Sequence, residues 1–185
     1  MGTSPAKTMA QKSVIRAIRG NAKSFDLSGK AITSVPTSIS EIQNLCVLRL
    51  QNNLIRALPE ELTSLYNLTE LHLSNNAFGE IPSVLGHIKW LKKLYLSGNR
   101  ITALSPLVCA GLGHLVVLNL NHNKIQHLPP EIKSLAKLER LTMTDNKLEA
   151  LPPEFGQLSN LIQLNLSRKP LVLAPWGAVQ LQRAH

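Results

Sequence analysis

Six histidines and two cysteines are the side chains of this 185-residue chain best suited to hold a metal or to serve as nucleophile and base. A metal site needs such ligands in close, repeated pairs. His72, His87, His114, His122, His127 and His185 show no such spacing, and Cys46 and Cys109 are far apart in sequence. The two cysteines therefore read as ordinary small side chains. No Gly-rich phosphate loop, dinucleotide-binding glycine motif or G-x-S-x-G elbow occurs. The adjacent carboxylates Glu60 and Glu61 follow a Leu-Pro pair at the start of a predicted helical segment, where they complement the helix dipole. Asn67-Leu68-Thr69 and Asn165-Leu166-Ser167 match a glycosylation sequon, but a repeating pattern generates both. The expectation is a chain with no catalytic residues, no metal site and no cofactor.

Recognition chemistry remains, and a formal charge of +9 first suggests nucleic acid. The position of the charge argues otherwise. Residues 1–30 carry Lys7, Lys12, Arg16, Arg19, Lys23 and Lys30 against Asp26, a net of +5. Arg168, Lys169 and Arg183 add +3 in residues 168–185, and residues 31–167 keep only +1. The excess lies in the flanks, whereas a nucleic-acid groove needs a basic stripe on its working face.

What positions any binding residues is a repeat. LCVLRLQNNLI (45–55), LTELHLSNNAF (68–78), LKKLYLSGNRI (91–101), LVVLNLNHNKI (115–125) and LERLTMTDNKL (138–148) share L-x-x-L-x-[LM]-x-x-N-x-apolar. The fourth-position leucines Leu48, Leu71, Leu94, Leu118 and Leu141 recur every 23 residues, except for one interval of 24. Weaker copies at Phe25, Leu27 and Ile32 and at Leu161, Leu164, Leu166 and Leu171 bring the total to about seven units. Leucines two apart face one side of an extended segment, so each unit predicts a short strand with its leucines inward. No unit can bury that face alone, and stacking makes a parallel sheet. Asn53, Asn76, Asn99, Asn123 and Asn146 follow the strands, where a buried amide can donate to and accept from backbone groups left unpaired by the turn. Leu58-Pro59, Ile81-Pro82, Leu128-Pro129 and Leu151-Pro152 then end strand pairing, and apolar pairs three apart predict a turn of helix or 3₁₀ behind the sheet.

This pattern resembles the leucine-rich repeat family over residues 22–171, and its L-P-x-x-[IF]-x-x-L half resembles the intracellular 23-residue subclass. SVIRAIRG before the first repeat, LQNNLI (50–55) and LYLSGNRITALSPLVCAGLGHLVVLNLNHNKI (94–125) are similar to a small cytoplasmic member. The resemblance implies an α/β solenoid, a curved horseshoe with a parallel sheet on the concave face and short helices or 3₁₀ turns on the convex face. It also implies a continuous asparagine ladder, and protein partners such as small GTPases or phosphatase subunits. Secreted members close their ends with disulfide clusters, which two cysteines cannot form, so the resemblance implies a cytoplasmic protein. The 24-residue unit departs from the pattern at Ser105-Pro106, and its extra residue is expected on the convex side, leaving the sheet undisturbed.

The ends complete the layout. Residues 1–21 predict an amphipathic helix that starts at Ser4-Pro5 and stops at Gly20. Ala6, Ala10, Val14, Ile15, Ala17 and Ile18 share a side that would cover the first repeat. Lys12, Arg16 and Arg19 share the opposite side, which could dock on an anionic membrane or on nucleic acid. Half of the apolar side is alanine, which inserts weakly into lipid, so a cap is the expected role. Met1-Gly2 does not read as a myristoylation site because Ala6 stands where Ser or Thr is needed. The first thirty residues lack the apolar core of a signal peptide, and no run of about twenty apolar residues occurs. Residues 172–185 read either as a decayed repeat or as a truncated tail, since Lys169 replaces the asparagine and Ala174 the leucine.

Residues alternating with the buried leucines face outward in columns. The central column is Asp26, Arg49, His72, Tyr95, Asn119, Thr142 and Asn165, flanked by Ser24, Val47, Glu70, Lys93, Val117, Arg140 and Gln163. A third column runs Ser28, Gln51, Ser74, Ser97, Asn121, Thr144 and Ser167. Arg49, Glu70, His72, Lys93, Tyr95, Asn119 and Arg140 are the candidate contacts, arginine and tyrosine being favoured interface types. The expected function is a monomeric, non-catalytic scaffold or adaptor that binds a protein on this face, in signal transduction.

Overall fold

A computed structural model describes residues 5–166. Seven parallel strands follow one another in chain order in a single sheet: β1 (Ser24–Asp26), β2 (Val47–Arg49), β3 (Glu70–His72), β4 (Lys93–Tyr95), β5 (Val117–Asn119), β6 (Arg140–Met143) and β7 (Gln163–Leu166). Each is three or four residues long because only the L-x-L core of the unit can pair before the turn begins. Behind the sheet run 3₁₀ turns at Thr37–Glu41, Glu60–Ser64, Ser83–His87, Pro130–Ser134 and Pro153–Gln157. Prolines 36, 59, 82, 129 and 152 stand just before them with extended ψ of 130–156°, so proline here launches the turn as well as ending strand pairing. Strands stack about 4.8 Å apart and packed α-helices need about 8–10 Å, a mismatch that favours bending of such a stack toward its sheet side.

Leu48, Leu71, Leu94, Leu118 and Leu141 are all buried, as are Leu50, Leu73, Leu96, Leu120 and Met143 two residues on. Full burial of each such side chain contributes about 1.5–3 kcal/mol. The core is continuous from α1 to β7 because the inner repeats bury their leucines against both neighbours, while Leu164 and Leu166 of β7 are partly buried against the repeat before.

The 24-residue unit replaces the 3₁₀ turn with an α-helix, α2 (Pro106–Gly111). Six α-helical residues advance about 9 Å and five 3₁₀ residues about 10 Å, so the wider winding absorbs the extra residue at nearly constant length. The sheet passes through undisturbed, with Lys93 paired to Val117, Leu94 to Leu118 and Tyr95 to Asn119. The wider helix presses on its neighbour: a Cβ on Gly111 would collide with the Gly86 carbonyl, and one on Gly86 would lie 3.2 Å from the Leu107 carbonyl oxygen.

The first helix, α1 (Pro5–Arg19), lays Ala10, Val14 and Ala17 on the first repeat, with Ala6 and Ile18 half-buried beside them. Two details differ from expectation. Ile15 is 50% exposed, because residues 10, 14 and 17 point at the repeat and residue 15 lies about 100° round from Val14. The left-handed residue that ends the helix is Asn21 (φ 50°), not Gly20. The Asn21 amide donates to Ile18 and the Ala22 amide to Ala17, the paired bonds of a Schellman end. The Ser4 cap and residues 172–185 lie outside the described residues.

Candidate binding face

The turn after each strand decides which side chains can reach the outer face. Asn99 shows how: its amide donates to the carbonyls of Leu73 (3.0 Å) and Leu96 (2.9 Å), and its oxygen accepts from the Phe78 amide (3.2 Å). One side chain thus joins two successive repeats. Asn53, Asn76, Asn123 and Asn146 repeat the arrangement, bridging Leu27 with Leu50, Leu50 with Leu73, Leu96 with Leu120, and Leu120 with Met143. The residue before each asparagine is left-handed: Asn52, Asn75, Gly98, His122 and Asp145 all have φ between 53° and 68°. These are the types that tolerate such backbone. Sequence reasoning passed over this column, although its composition was the available signal.

With the turns held, the strands present their alternate residues in strict register. Val47, Glu70, Lys93, Val117, Arg140 and Gln163 are successive partners, as are Arg49, His72, Tyr95, Asn119, Thr142 and Asn165. Four candidates meet in one cluster on β3 and β4. Glu70 Oε1 lies 2.7 Å from His72 Nε2 and Glu70 Oε2 lies 3.0 Å from Lys93 Nζ. A carboxylate only accepts, so Nε2 carries the proton of that bond. The His72 ring stacks on Tyr95 with centroids 4.5 Å apart and planes 14° off parallel.

Burial opposes ionisation of Glu70, but the hydrogen bonds from His72 and Lys93 outweigh it and hold its carboxyl below the ordinary value. The same bond raises Lys93. Glu70 therefore neutralises the face locally and fixes two side chains, while Tyr95 presents a ring braced from one side.

The other candidates stand apart from this cluster. Arg49 Nη1 turns toward β1 and donates to Ser24 Oγ (2.7 Å). Asp26 beside it is held low: burial opposes ionisation, and the Ser28 hydroxyl and amide with Arg49 and Lys30 more than offset it. Asn119 Oδ1 accepts from the Asn121 amide (3.1 Å). Arg140 is exposed, two strands along the Lys93 column. Lys12, Arg16 and Arg19 are exposed on α1, at the β1 end of the stack, whereas the cluster lies on β3 and β4. Among the described residues no group of three or more His, Cys, Asp or Glu could hold a metal, and no helix is long and apolar enough to cross a membrane. Cys109 is buried, which pushes its thiol up to about 12.

Comparison with known proteins agrees with this architecture. Two leucine-rich repeat family models match, one over residues 43–87 (two repeat copies) and one over residues 89–148. The chain is 60% identical over 133 residues to Leucine-rich repeat-containing protein 69 of Xenopus laevis. That match takes in 72% of this chain and 39% of the relative, so the chain spans well under half of it. Among solved structures it is similar to an internalin (inlF) of Listeria monocytogenes str. 4b F2365, with TM-score 0.58 and 25% identity, over 71% of this chain and 37% of that one. It is also similar to the crystal structure of PEPR1-AtPEP1, with TM-score 0.61 and 26% identity, over 81% of this chain and 21% of that one. With matched models covering most of the repeats and asparagines bridging five successive pairs of them, this chain belongs to the leucine-rich repeat family.

Proposed function

We propose that the chain is a non-catalytic protein-binding scaffold whose partner seats on the strand face around Tyr95. The observation that carries this reading is the Glu70–His72–Lys93–Tyr95 cluster. Its side chains are fixed in place before any partner arrives, so little rotamer freedom remains to be lost on binding. A stacked tyrosine beside a half-exposed lysine supplies apolar area and a charge at the centre of a polar face. A cytoplasmic adaptor role in signal transduction, with a small GTPase or a phosphatase subunit as partner, follows from the subclass resemblance and sets which partners to test first.

The test is a pull-down and titration comparing the wild type with an Arg49→Ala/Tyr95→Ala/Arg140→Ala variant. Loss of partner at unchanged thermal midpoint supports the reading; retention of every partner removes the strand face from it.

A second reading rests on α1, where Met9 and Ile15 are 63% and 50% exposed among Lys12, Arg16 and Arg19. A helix with that surface suits an anionic membrane surface, at an affinity that falls with salt. Co-sedimentation with phosphatidylserine vesicles at low and moderate salt distinguishes it, because binding through α1 disappears in a Lys12→Glu/Arg16→Glu variant.

A further inference from the structure

The edge where the 3₁₀ turns run into the strands carries a column of its own: Asn44, Asn67, Trp90, His114, Lys137 and Asn160. Where the residue is asparagine, it ties its repeat to the one before. Asn67 Nδ2 donates to the Gln43 carbonyl (2.9 Å), Asn160 Nδ2 to the Ala136 carbonyl (2.7 Å), and Asn44 Nδ2 to Asn21 Oδ1 (2.5 Å). The three middle repeats give up that bond. In its place stands Trp90, 54% exposed, with Tyr66 of the preceding repeat 71% exposed beside it. Tyr66, His87, Lys89 and Trp90 line an open pocket of about 160 Å³, large enough for one side chain. His114 packs against Trp90 with ring centroids 4.7 Å apart, so the indole is braced in its exposed position.

A chain with only 4% aromatic residues has here exchanged a structural amide for an exposed tryptophan next to an exposed tyrosine. Packing accounts for the buried half of the indole, but the half left in water gains nothing by folding. Tryptophan and tyrosine in a pocket are the residue types that anchor interfaces. The charge along this edge is mainly basic: the segments 42–46, 65–69, 88–92, 112–116, 135–139 and 158–162 hold Lys89, Lys92 and Lys137 against Glu139, with Glu60 and Glu61 at the far end of the turn that supplies Thr63. Lys89 adjoins Trp90 and lines the pocket, Lys92 stands two residues beyond Trp90, and both are exposed. We propose that the Tyr66–Trp90 pocket is a second docking site, separate from the strand face, which takes an aliphatic side chain from an acidic peptide segment of a partner protein, with Lys89 and Lys92 receiving its carboxylates.

The probes are fluorescein-labelled dodecamer peptide mixtures read by anisotropy. One is rich in Asp and Glu with interspersed Leu, Val and Pro; a second has Lys in place of the acids; a third keeps the acids but has Gly in place of the aliphatics. The first should bind about tenfold more tightly than either of the others, and about tenfold more weakly to Trp90→Asn and to Lys89→Glu/Lys92→Glu. Trp90→Asn restores the amide of the column, so its circular dichroism and thermal midpoint should match or exceed wild type, which separates lost binding from lost fold. The Arg49→Ala/Tyr95→Ala/Arg140→Ala variant should bind the acidic mixture unchanged. Equal or absent binding of the three mixtures overturns the proposal, as does full binding by Trp90→Asn. So does tighter binding of a labelled RNA dodecamer, or self-association of the wild type that Trp90→Asn abolishes, each of which would assign the pocket to another occupant.

Discussion

Two polar columns run the length of this solenoid at the same spacing and differ in almost everything else. The one behind the turns is asparagine in five successive repeats, buried or half-buried, with its amide and its oxygen both used. The one on the strand face reads Arg49, His72, Tyr95, Asn119 and Thr142, a different residue at every step. Burial accounts for the contrast. An interior position must satisfy the carbonyls of two strands and an amide with one short side chain, and asparagine alone carries both functions at that length. A position facing water has no such obligation, so it is free to serve recognition. Identity along a column thus marks architecture, and variety marks the surface on which a partner can be chosen.

The sharpest way to break this comparison is to remove one buried amide. Asn99→Leu strands the Phe78 amide, at about 1–3 kcal/mol, and takes one of two ladder bonds from each of the Leu73 and Leu96 carbonyls, which keep Asn76 and Asn123, at about 0.5–1.5 kcal/mol each. Urea unfolding should show a loss on the order of 3 kcal/mol or more; a loss under about 1 kcal/mol would mean that the ladder is dispensable. A smaller effect is expected at the contact between repeats. Gly111→Ala drives a methyl group into the Gly86 carbonyl and should cost about 1–3 kcal/mol, whereas Gly156→Ala, with nothing near its Cβ, should cost less.

The smallest effect should come from the face itself. Glu70→Gln removes a partly exposed pair and should change stability at neutral pH by under about 1 kcal/mol. Its pH signature is the sharper readout. Glu70 is held below its ordinary 4.5, so its contribution is full above that value and is lost as the pH falls through the lower native one. The variant should therefore lose less stability than wild type on acidification below about pH 4.5. An identical acid limb in both proteins would show that the Glu70 contacts do not persist in solution.

Much of this was legible in the one-dimensional pattern. The L-x-L spacing predicts each strand and its buried face, and the register of β1 to β7 follows from aligning the repeats, 23 residues apart at every step but the 24 between β4 and β5. Even the insertion at Ser105–Gly113 announces itself as a change confined to the convex side. The Gly86–Gly111 contact does not, because the two glycines meet only when α2 is wound wider than the turn beside it. Ile15 was misassigned for a related reason. A helical wheel shows that an apolar side exists, but not how many of its residues a flat repeat end can cover.

The strand-face candidates divide the same way. Columns can be listed from the alternation of residues, and Glu70, His72, Lys93 and Tyr95 can be placed on one face. Their joining into a single hydrogen-bonded and stacked cluster, while Arg49 turns away to Ser24, depends on rotamers chosen among neighbours brought together by the sheet. The period alone specifies the solenoid, because each repeat meets the same two neighbours and local rules suffice. Side-chain partnerships across repeats belong to the tertiary structure, because residues some two dozen apart in the chain become adjacent only once the strands are stacked.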